Sequence, residues 1–334
     1  MKIKLLLLCV ITSLLNCRQS ELTNIKLSGL VFGTSYAIIY HGDRTYEKEF
    51  DSLFYVINRS MSTYIRNSDI SKWNRNEPVT LDQHFLEVFE VSKTIYENTD
   101  GMFDPTIGAV VNAWDFGPEG EIVKLDSLKI DSLMMSVGLD KLDRVGTNIE
   151  KSYADTYLDF NAIAKGYAVD VIANFLDSNQ IQDYLIEIGG ELQSRGINQK
   201  SLKPWAVGID WPNFDGSQSV LKAINLMDEA MATSGTYRKF KIDENGNRYA
   251  HIIDASTGYP SKTKILSVSV IAELFLDKFG CGQEIKYTGG RTGWKGDIPF
   301  YSHNSKKLKK LGWEPTLSSK DAVRKAINKM REEL

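Results

Sequence analysis

Two stretches in the first third of the chain have the spacing of amphipathic helices. Residues 45–60 place apolar side chains such as Phe50 and Phe54 at intervals of three and four, and residues 81–98 repeat this spacing. A third helix is expected to open within 159–170 and to continue to Leu176. These segments are long enough to each cover one face of a sheet.

Shorter apolar and β-branched runs predict strands at 33–40, 184–188, 204–209 and 265–272. The strands and helices follow one another without a steady β-α-β alternation. This order favours the α+β class.

A β-hairpin is predicted in the stretch 231–260. Two alternating runs, from Tyr237 to Ile242 and onward to His251, flank Asn245-Gly246, and this pair suits the positive φ angles of a tight primed turn. The second run ends in a histidine, so the hairpin is a candidate wall of a site. The alternative is a strand-end histidine that is satisfied by a neighbouring group.

Composition is that of an ordinary soluble globular protein, with 42% hydrophobic and 25% charged residues among 334. The net charge of −3 gives no reason to expect a nucleic-acid partner. The charge is uneven: residues 273–334 hold 13 Lys and Arg against 8 Asp and Glu, or +5, whereas the preceding residues hold 27 against 35, or −8. This shift indicates a boundary near residue 272.

The N-terminus has the pattern of an export signal. Two lysines precede an apolar run, Leu5 to Leu15, which is shorter than the roughly 20 residues needed to span a bilayer. The residues that end at Cys17 resemble a bacterial lipoprotein cleavage site. We therefore expect residues 1–17 to be a signal, Cys17 to carry lipid, and the protein to be anchored in the cell envelope, on the periplasmic face of the inner membrane or in the outer membrane. The alternative is an ordinary signal peptide with a chance cysteine.

Two internal stretches carry candidate site residues. In 99–108, two carboxylates flank an aromatic residue between two glycines, although a plain connector between helices has the same composition. Lys165 lies near the start of a predicted helix among small residues, where its ammonium group and the terminal N–H groups are able to share an anion. A solvated surface lysine is the alternative.

Taken together, these stretches resemble the FAD:protein FMN transferases, the ApbE-like family, over about residues 29–272. The motifs that carry the resemblance are, in chain order, Gly33-Thr34-x-Tyr36, Met61-Ser62-Thr63-Tyr64, the run Asp100 to Thr106, Trp114-x-Phe116-Gly117, the run Asp159 to Asp170, Ile188-Gly189-Gly190, Ala232-Thr233-Ser234-Gly235, and His251 through Pro260.

The resemblance implies a fold, a reaction and its cofactors. It implies that residues 18–272 form a mixed-sheet, T-fold-related domain. It also implies that this domain moves the FMN half of FAD to a Ser or Thr hydroxyl of an acceptor protein, with Mg²⁺ and with release of AMP. A cation across a pyrophosphate stabilises the charge that develops as the bond breaks.

The resemblance also implies site residues. Those expected to bind FAD are Phe32 (where the family usually has Met), Tyr64, Met102, Phe103, Asp104, Asp159, Lys165 and Ile252. The main-chain carbonyl of Ala162 is expected to bind the metal, and His251 is the candidate catalytic residue.

The pattern breaks after the strand at 265–272. The family continues with a motif whose Asp and Thr complete the magnesium site, but here Asp277 is followed four residues later by Cys281. Because magnesium prefers oxygen ligands that include a carboxylate, this departure puts activity in question. Two alternatives follow from a lost metal site: a lipoprotein that only binds FAD, and an enzyme that hydrolyses FAD.

Residues 273–334 resemble the C-terminal end of NAD-dependent nucleotide-sugar epimerases, in stretches such as Gly293-Trp294-Lys295-Gly296-Asp297 and Leu311-Gly312-Trp313-Glu314-Pro315. We expect a short, foreign helical tail, which would make the chain a chimera.

Overall fold

The fold was derived from a computed structural model, which describes residues 22–120, 125–243 and 246–273. The chain divides into two units, 1–287 and 288–334, and all of the described residues lie in the first. The described helices are α1 (Glu47–Met61), α2 (Asp69–Asn74), α3 (Gln83–Asn98), α4 (Gly108–Ala113), α5 (Ser127–Met134) and α6 (Ala164–Ser178).

Six strands form one sheet, in the order β1 (Thr23–Val31), β2 (Thr34–Gly42), β5 (Tyr184–Ile188), β6 (Glu191–Arg195), β9 (Glu229–Gly235) and β12 (Ser267–Glu273). Every neighbouring pair in this sheet is antiparallel. Two of the pairs are joined by turns of two residues, Phe32-Gly33 between β1 and β2 and Gly189-Gly190 between β5 and β6. Turns this short can join only antiparallel strands.

Three ribbons of two antiparallel strands complete the described fold. They are β3 (Leu142–Val145) with β4 (Asn148–Lys151), β7 (Trp205–Asp210) with β8 (Val220–Leu226), and β10 (Phe240–Ile242) with β11 (Arg248–Ala250).

The core lies between the sheet and the helices. Along β2 every second residue is buried, including Ile38 and Tyr40, and these side chains belong to one apolar cluster with Phe50 of α1 and Ile172 of α6. Fully burying a side chain of this kind stabilises a fold by about 1.5–3 kcal/mol. The amphipathic spacing of each helix therefore determines which side of the helix packs against the sheet.

Helix starts follow from local chemistry. Helix α3 begins at Gln83 because the side chain of Asp82 accepts a hydrogen bond from the main-chain N–H of Phe85, 2.9 Å away. Ser68 caps α2 in the same way.

The α+β class is confirmed, and so are the helices expected at 45–60 and 81–98. All described strands of the six-stranded sheet pair antiparallel. The hairpin of the 231–260 stretch is present but shorter than the alternation predicted, with three residues in each strand. The strand β1 was not anticipated.

Several predictions fall outside the described residues: the signal at 1–17, the lipid on Cys17, and the epimerase-like tail, of which only Glu273 is described. Among the residues that are described, no helix is long and apolar enough to cross a membrane.

Candidate functional site

The loop before α4 and the segment before α6 are joined along their main chains. The N–H of Asp159 donates to the carbonyl of Pro105 over 2.8 Å, and Ile107 forms a parallel bridge with Tyr157. Gly108 makes this approach feasible, because a Cβ atom there would lie 2.6 Å from the Tyr157 ring and 3.0 Å from Cβ of Asp159. Two stretches that are some 50 residues apart in sequence therefore meet at Asp159.

Asn74, at the end of α2, holds the same segment from the other side. Its side chain donates to the carbonyl of Leu158 over 2.9 Å and accepts from the N–H of Leu158 over 2.8 Å. A buried amide that satisfies both groups of one residue fixes the direction of the chain. The position of Asp159 is thus set by its neighbours on both sides.

The carboxyl group of Asp159 lies in a desolvated place. Burial raises its pKa above the ordinary value, while the main-chain N–H of Asn161, 2.7 Å from Oδ1, and the positive charge of Lys239 act in the opposite direction. Asp159 therefore connects the α6 segment electrostatically to the hairpin that carries Lys239.

Tyr64 lies in the loop between α1 and α2 and faces the same group. Its side chain is 60% exposed, and its pKa is raised by burial of the hydroxyl and by the charge of Asp159. The preceding residue, Thr63, accepts a hydrogen bond from the Asn161 side chain at 3.3 Å. The ring of Tyr64 thus offers an open, flat face beside Asp159, which suits a planar ligand.

Lys165, in the first turn of α6, is paired. Its ammonium group donates to the Glu191 carboxylate over 2.7 Å and to the carbonyl of Gly189 over 3.2 Å. Gly189 has φ of 58°, and a Cβ atom there would lie 2.7 Å from Thr34. An anion that reaches the ammonium group of Lys165 would have to share it with the carboxylate of Glu191.

We call residues 114–117 the clamp loop, because it fastens the hairpin β10–β11 and the turn that follows it. The Trp114 indole donates to the carbonyl of Gly258 over 2.9 Å. The ammonium group of Lys239 donates to the carbonyl of Phe116, and that of Lys241 pairs with Asp115.

His251 lies at the end of the hairpin against the clamp loop. Its ring is 6.3 Å from that of Phe116, and Nδ1 lies 3.0 Å from the main-chain carbonyl of Lys239. Because a carbonyl only accepts, Nδ1 carries the proton and Nε2 keeps its lone pair. Burial lowers the pKa of His251, and the charges of Lys239 and Lys165 lower it further, against the opposing effect of the bond to the carbonyl. The lowered pKa favours the neutral imidazole, which is the form that a general base requires.

The remaining predicted ligands divide into exposed and buried side chains. Met102 is 66% exposed, and Phe103 and Ile252 are partly exposed. Asp104 is buried, and its Oδ1 accepts from the N–H of Thr106 at 2.8 Å and from its hydroxyl at 2.6 Å. These two hydrogen bonds to Thr106 show that Asp104 helps to shape the loop. Direct contact of Asp104 with FAD stays a prediction.

Phe32 lies apart from this group. It occupies the turn between β1 and β2 with φ of 51°, packs on Phe54 with ring centres 5.8 Å apart, and lines a cavity of about 350 Å³ against α1. A second cavity, of about 430 Å³, lies at Trp211–Asp215. In the described part of the chain, no hydrogen bond, ion pair or ring contact joins the lining of either cavity to Asp159 or His251, so the site is defined by its polar contacts.

The described residues do not make up a magnesium site. The carbonyl of Ala162 accepts no hydrogen bond from a described main-chain N–H, so it is available as one oxygen ligand. Within the described ranges, no group of three His, Cys, Asp or Glu side chains is placed to hold a metal. A single neutral carbonyl falls short of the ligand set that Mg²⁺ takes in proteins.

Lys239 and Asn161 were not singled out from the sequence, and the structure places both at the site. A signal for Lys239 was present, since Lys239 and Lys241 are two residues apart on one face of a predicted strand. The partner of that strand face is the clamp loop, which lies more than a hundred residues earlier in the chain, so local pattern does not predict the contact.

Comparisons with known proteins point to one family. The family model described as "ApbE family" matches residues 32–277. A curated FAD:protein FMN transferase of Vibrio cholerae is 34% identical over 280 residues, which cover 80% of this chain and 83% of the relative. One of Haemophilus influenzae is 35% identical over 271 residues, with coverage of 76% and 78%.

Solved structures show the same likeness. The flavin transferase ApbE from Vibrio cholerae superposes with a TM-score of 0.66 at 33% identity, covering 76% of this chain and 83% of that one. The apo form of the flavinyl transferase ApbE of Pseudomonas stutzeri gives a TM-score of 0.65 at 29% identity, covering 75% and 80%. With the family model matching most of the chain, these likenesses lead to one conclusion: the chain belongs to the ApbE family.

Proposed function

We propose that this protein is an FAD:protein FMN transferase that modifies a Ser or Thr hydroxyl of an acceptor protein. The observation that carries the proposal is the setting of His251, whose Nδ1 lies 3.0 Å from the carbonyl of Lys239 and whose pKa is lowered by burial and by the positive charges of Lys239 and Lys165. Membership of the family and likeness to curated transferases support the same activity.

In the proposed reaction, Nε2 of His251 takes the proton of the acceptor hydroxyl. The hydroxyl oxygen attacks the phosphorus of the FMN half, the P–O bond to the other phosphate breaks, and AMP leaves with that oxygen. The attacking and leaving oxygens lie roughly in line in such transfers, so catalysis depends mainly on positioning and on nearby positive charge. Lys165 and Lys239 supply that charge from two sides.

The flavin needs a flat, partly apolar surface. The open ring of Tyr64 and the exposed side chain of Met102 are suited to this role. Asp159, whose charge acts on Tyr64 and is itself acted on by the charge of Lys239, would orient polar groups of the bound nucleotide.

Among the described residues, the carbonyl of Ala162 would contribute one oxygen ligand to magnesium. The family match extends to residue 277, so Asp277 lies within it, although outside the described residues. When bound, the ion would neutralise the charge of the pyrophosphate. We assign no step to it.

Anchoring in the cell envelope through a lipid on Cys17 is a separate proposal and rests on the sequence of residues 1–17 alone. Membrane fractionation of the wild type and of Cys17→Ala tests it. A Cys17→Ala protein that remains in the membrane fraction would contradict the lipid anchor.

The experiment that tests the activity uses purified protein with FAD, MgCl₂ and an acceptor protein that contains one flavinylation Ser or Thr. Covalent FMN on the acceptor, with an equal amount of AMP, supports the transferase. The matched control is the acceptor with that hydroxyl residue replaced by Ala.

The same experiment distinguishes the two alternatives. AMP without labelled acceptor would indicate hydrolysis of FAD, and bound FAD with neither product would indicate a binding protein. The transferase is favoured because the curated relatives of similar length carry that name.

A further inference from the structure

Four residues share one face of the hairpin β10–β11. Lys241 pairs with Tyr249 in the strand register, and the main-chain N–H of His251 donates to the carbonyl of Lys239 over 3.3 Å, which extends the register by one pair. Because side chains alternate along a strand, Lys239, Lys241, Tyr249 and His251 all point to the same side.

This face lies on the clamp loop. The ammonium groups of Lys239 and Lys241 reach the carbonyl of Phe116 and the carboxylate of Asp115, and the ring of Tyr249 packs on that of Phe116 with centres 6.0 Å apart. A pair of charged contacts and an aromatic contact therefore hold one short hairpin against one loop.

Lys239 is the residue that transmits this attachment to the histidine. Its side chain is fixed to Phe116, while its main-chain carbonyl accepts from Nδ1 of His251. The ring of His251 also lies against the ring of Phe116. The three residues thus form a closed triangle of contacts, in which the position of the Lys239 side chain sets the position of the carbonyl that orients the imidazole.

We propose that Lys239 is a positioning residue for His251, which holds the imidazole against the clamp loop with Nε2 directed away from the hairpin. This inference rests on the proposed transfer reaction, in which His251 is the base. It goes beyond that reaction by assigning a second function to the side chain of Lys239, which is to orient His251.

The charge of Lys239 gives the role a distinct signature. The charged groups that act on the imidazole are Lys239 on the hairpin and Lys165 on α6, and from the clamp loop it meets the uncharged ring of Phe116. The positive charges of Lys239 and Lys165 both favour the neutral form of the His251 imidazole. Removing the charge of Lys239 should therefore raise the pKa of His251, and the acidic limb of the rate profile should move to higher pH by the same amount.

The test compares Lys239→Met and Lys239→Arg with the wild type. The matched control is Lys222→Met, on the exposed part of β8. NMR titration of the His251 imidazole in each protein measures its pKa without any need for turnover, and kcat/KM for acceptor labelling is measured across pH. We expect Lys239→Met to raise the pKa, to shift the limb with it and to lower kcat by roughly 10-fold or more, with Lys239→Arg close to wild type.

Two outcomes would overturn the inference. One is a His251 titration and a kcat that are both unchanged in Lys239→Met; the other is a higher KM for FAD with kcat and the acidic limb unmoved, which would make Lys239 a substrate ligand only. If Lys239→Met does not fold, Lys239→Gln keeps a polar side chain without the charge and is measured in the same way. Absence of transfer in the wild type would refute the proposed function instead, while the titration would still report on Lys239 and His251.

Discussion

The indole N–H of Trp114 donates to the main-chain carbonyl of Gly258 over 2.9 Å, and so joins two residues that are 144 positions apart. Trp114 also packs edge-on against Tyr249 and lies 5.9 Å from the ring of Tyr259. The clamp loop and the turn after the hairpin are therefore parts of one wall.

Replacing Trp114 with Phe should keep one aromatic ring in the wall and remove the hydrogen bond to Gly258 together with the second ring of the indole. The carbonyl is partly buried, so we expect a loss of about 1–2 kcal/mol in the free energy of unfolding. Urea unfolding followed by circular dichroism measures it. Trp211→Phe, in the exposed loop after β7, is the control and should change stability by less than about 0.5 kcal/mol. Equal losses in both variants would show that the bond to Gly258 contributes nothing.

Gly258→Ala should destabilise the protein more than Gly146→Ala. Both glycines have positive φ, 72° and 64°, so both substitutions cost about 1–2 kcal/mol of backbone strain. At Gly258 a Cβ atom would also lie 2.8 Å from Ile130 and 2.9 Å from the sulfur of Met134, which adds about 1–3 kcal/mol, whereas nothing lies within 4 Å at Gly146. Thermal unfolding midpoints compare the two. Similar midpoints would mean that α5 moves aside without cost.

Asp104→Ala should leave the N–H and hydroxyl of Thr106 without their acceptor, at a cost of about 1–3 kcal/mol. Weaker FAD binding should follow, because the same loop carries Met102 and Phe103. Asp104→Asn retains an oxygen acceptor and should lose much less. FAD titration by fluorescence and unfolding in urea together check this. Undiminished stability and affinity in Asp104→Ala would exclude a role for Asp104 in shaping the loop.

The comparison of Asp104→Asn with the wild type should depend on pH. Burial raises the pKa of Asp104, so its contribution to stability is full below the ordinary pKa of an aspartate and is lost as pH rises through the raised value. The asparagine does not ionise. The free energy of unfolding of Asp104→Asn, relative to that of the wild type, should therefore be highest at neutral pH and should decline as the pH is lowered, because the wild type gains stability when Asp104 is protonated. A difference that is constant across this range would indicate that Asp104 is not desolvated.

His251→Ala should reduce the rate of acceptor labelling by about 10²–10⁴-fold, because it removes the proposed base. FAD affinity should change little. His41→Ala is a suitable control, since His41 contacts Asn24 at the far end of β2. Stopped-flow or endpoint labelling with purified acceptor gives the rates. Retention of near wild-type labelling in His251→Ala would remove the histidine from the mechanism.

Removal of divalent cations with EDTA should stop labelling, and added MgCl₂ should restore it, if the ion takes part as proposed. Asp277→Ala should raise the MgCl₂ concentration needed for half-maximal rate. Full activity in EDTA would show that the cations of Lys165 and Lys239 suffice for the pyrophosphate.

The sequence predicted the parts that depend on local pattern and not their assembly. The helices at 45–60 and 81–98 were predictable because apolar spacing and caps such as Asp82 are local. The hairpin was predictable from its alternation, but the length of its strands was not, because the register ends at the pair of Lys239 and His251, where side chains contact the clamp loop. The meeting of Asp159 with Pro105, and of Lys239 with Phe116, depends on tertiary contacts that leave no periodic signal.

The hairpin β10–β11 has three residues per strand and is not part of the six-stranded sheet. A two-stranded ribbon of this length has little stability of its own, so its order depends on the clamp loop. The free energy needed to detach the hairpin should be much smaller than that needed to unfold the six-stranded sheet. On warming, the protein should therefore lose the ordered position of His251 while most of its secondary structure remains, and a ligand that bridges the hairpin and α6 should protect both from proteolysis.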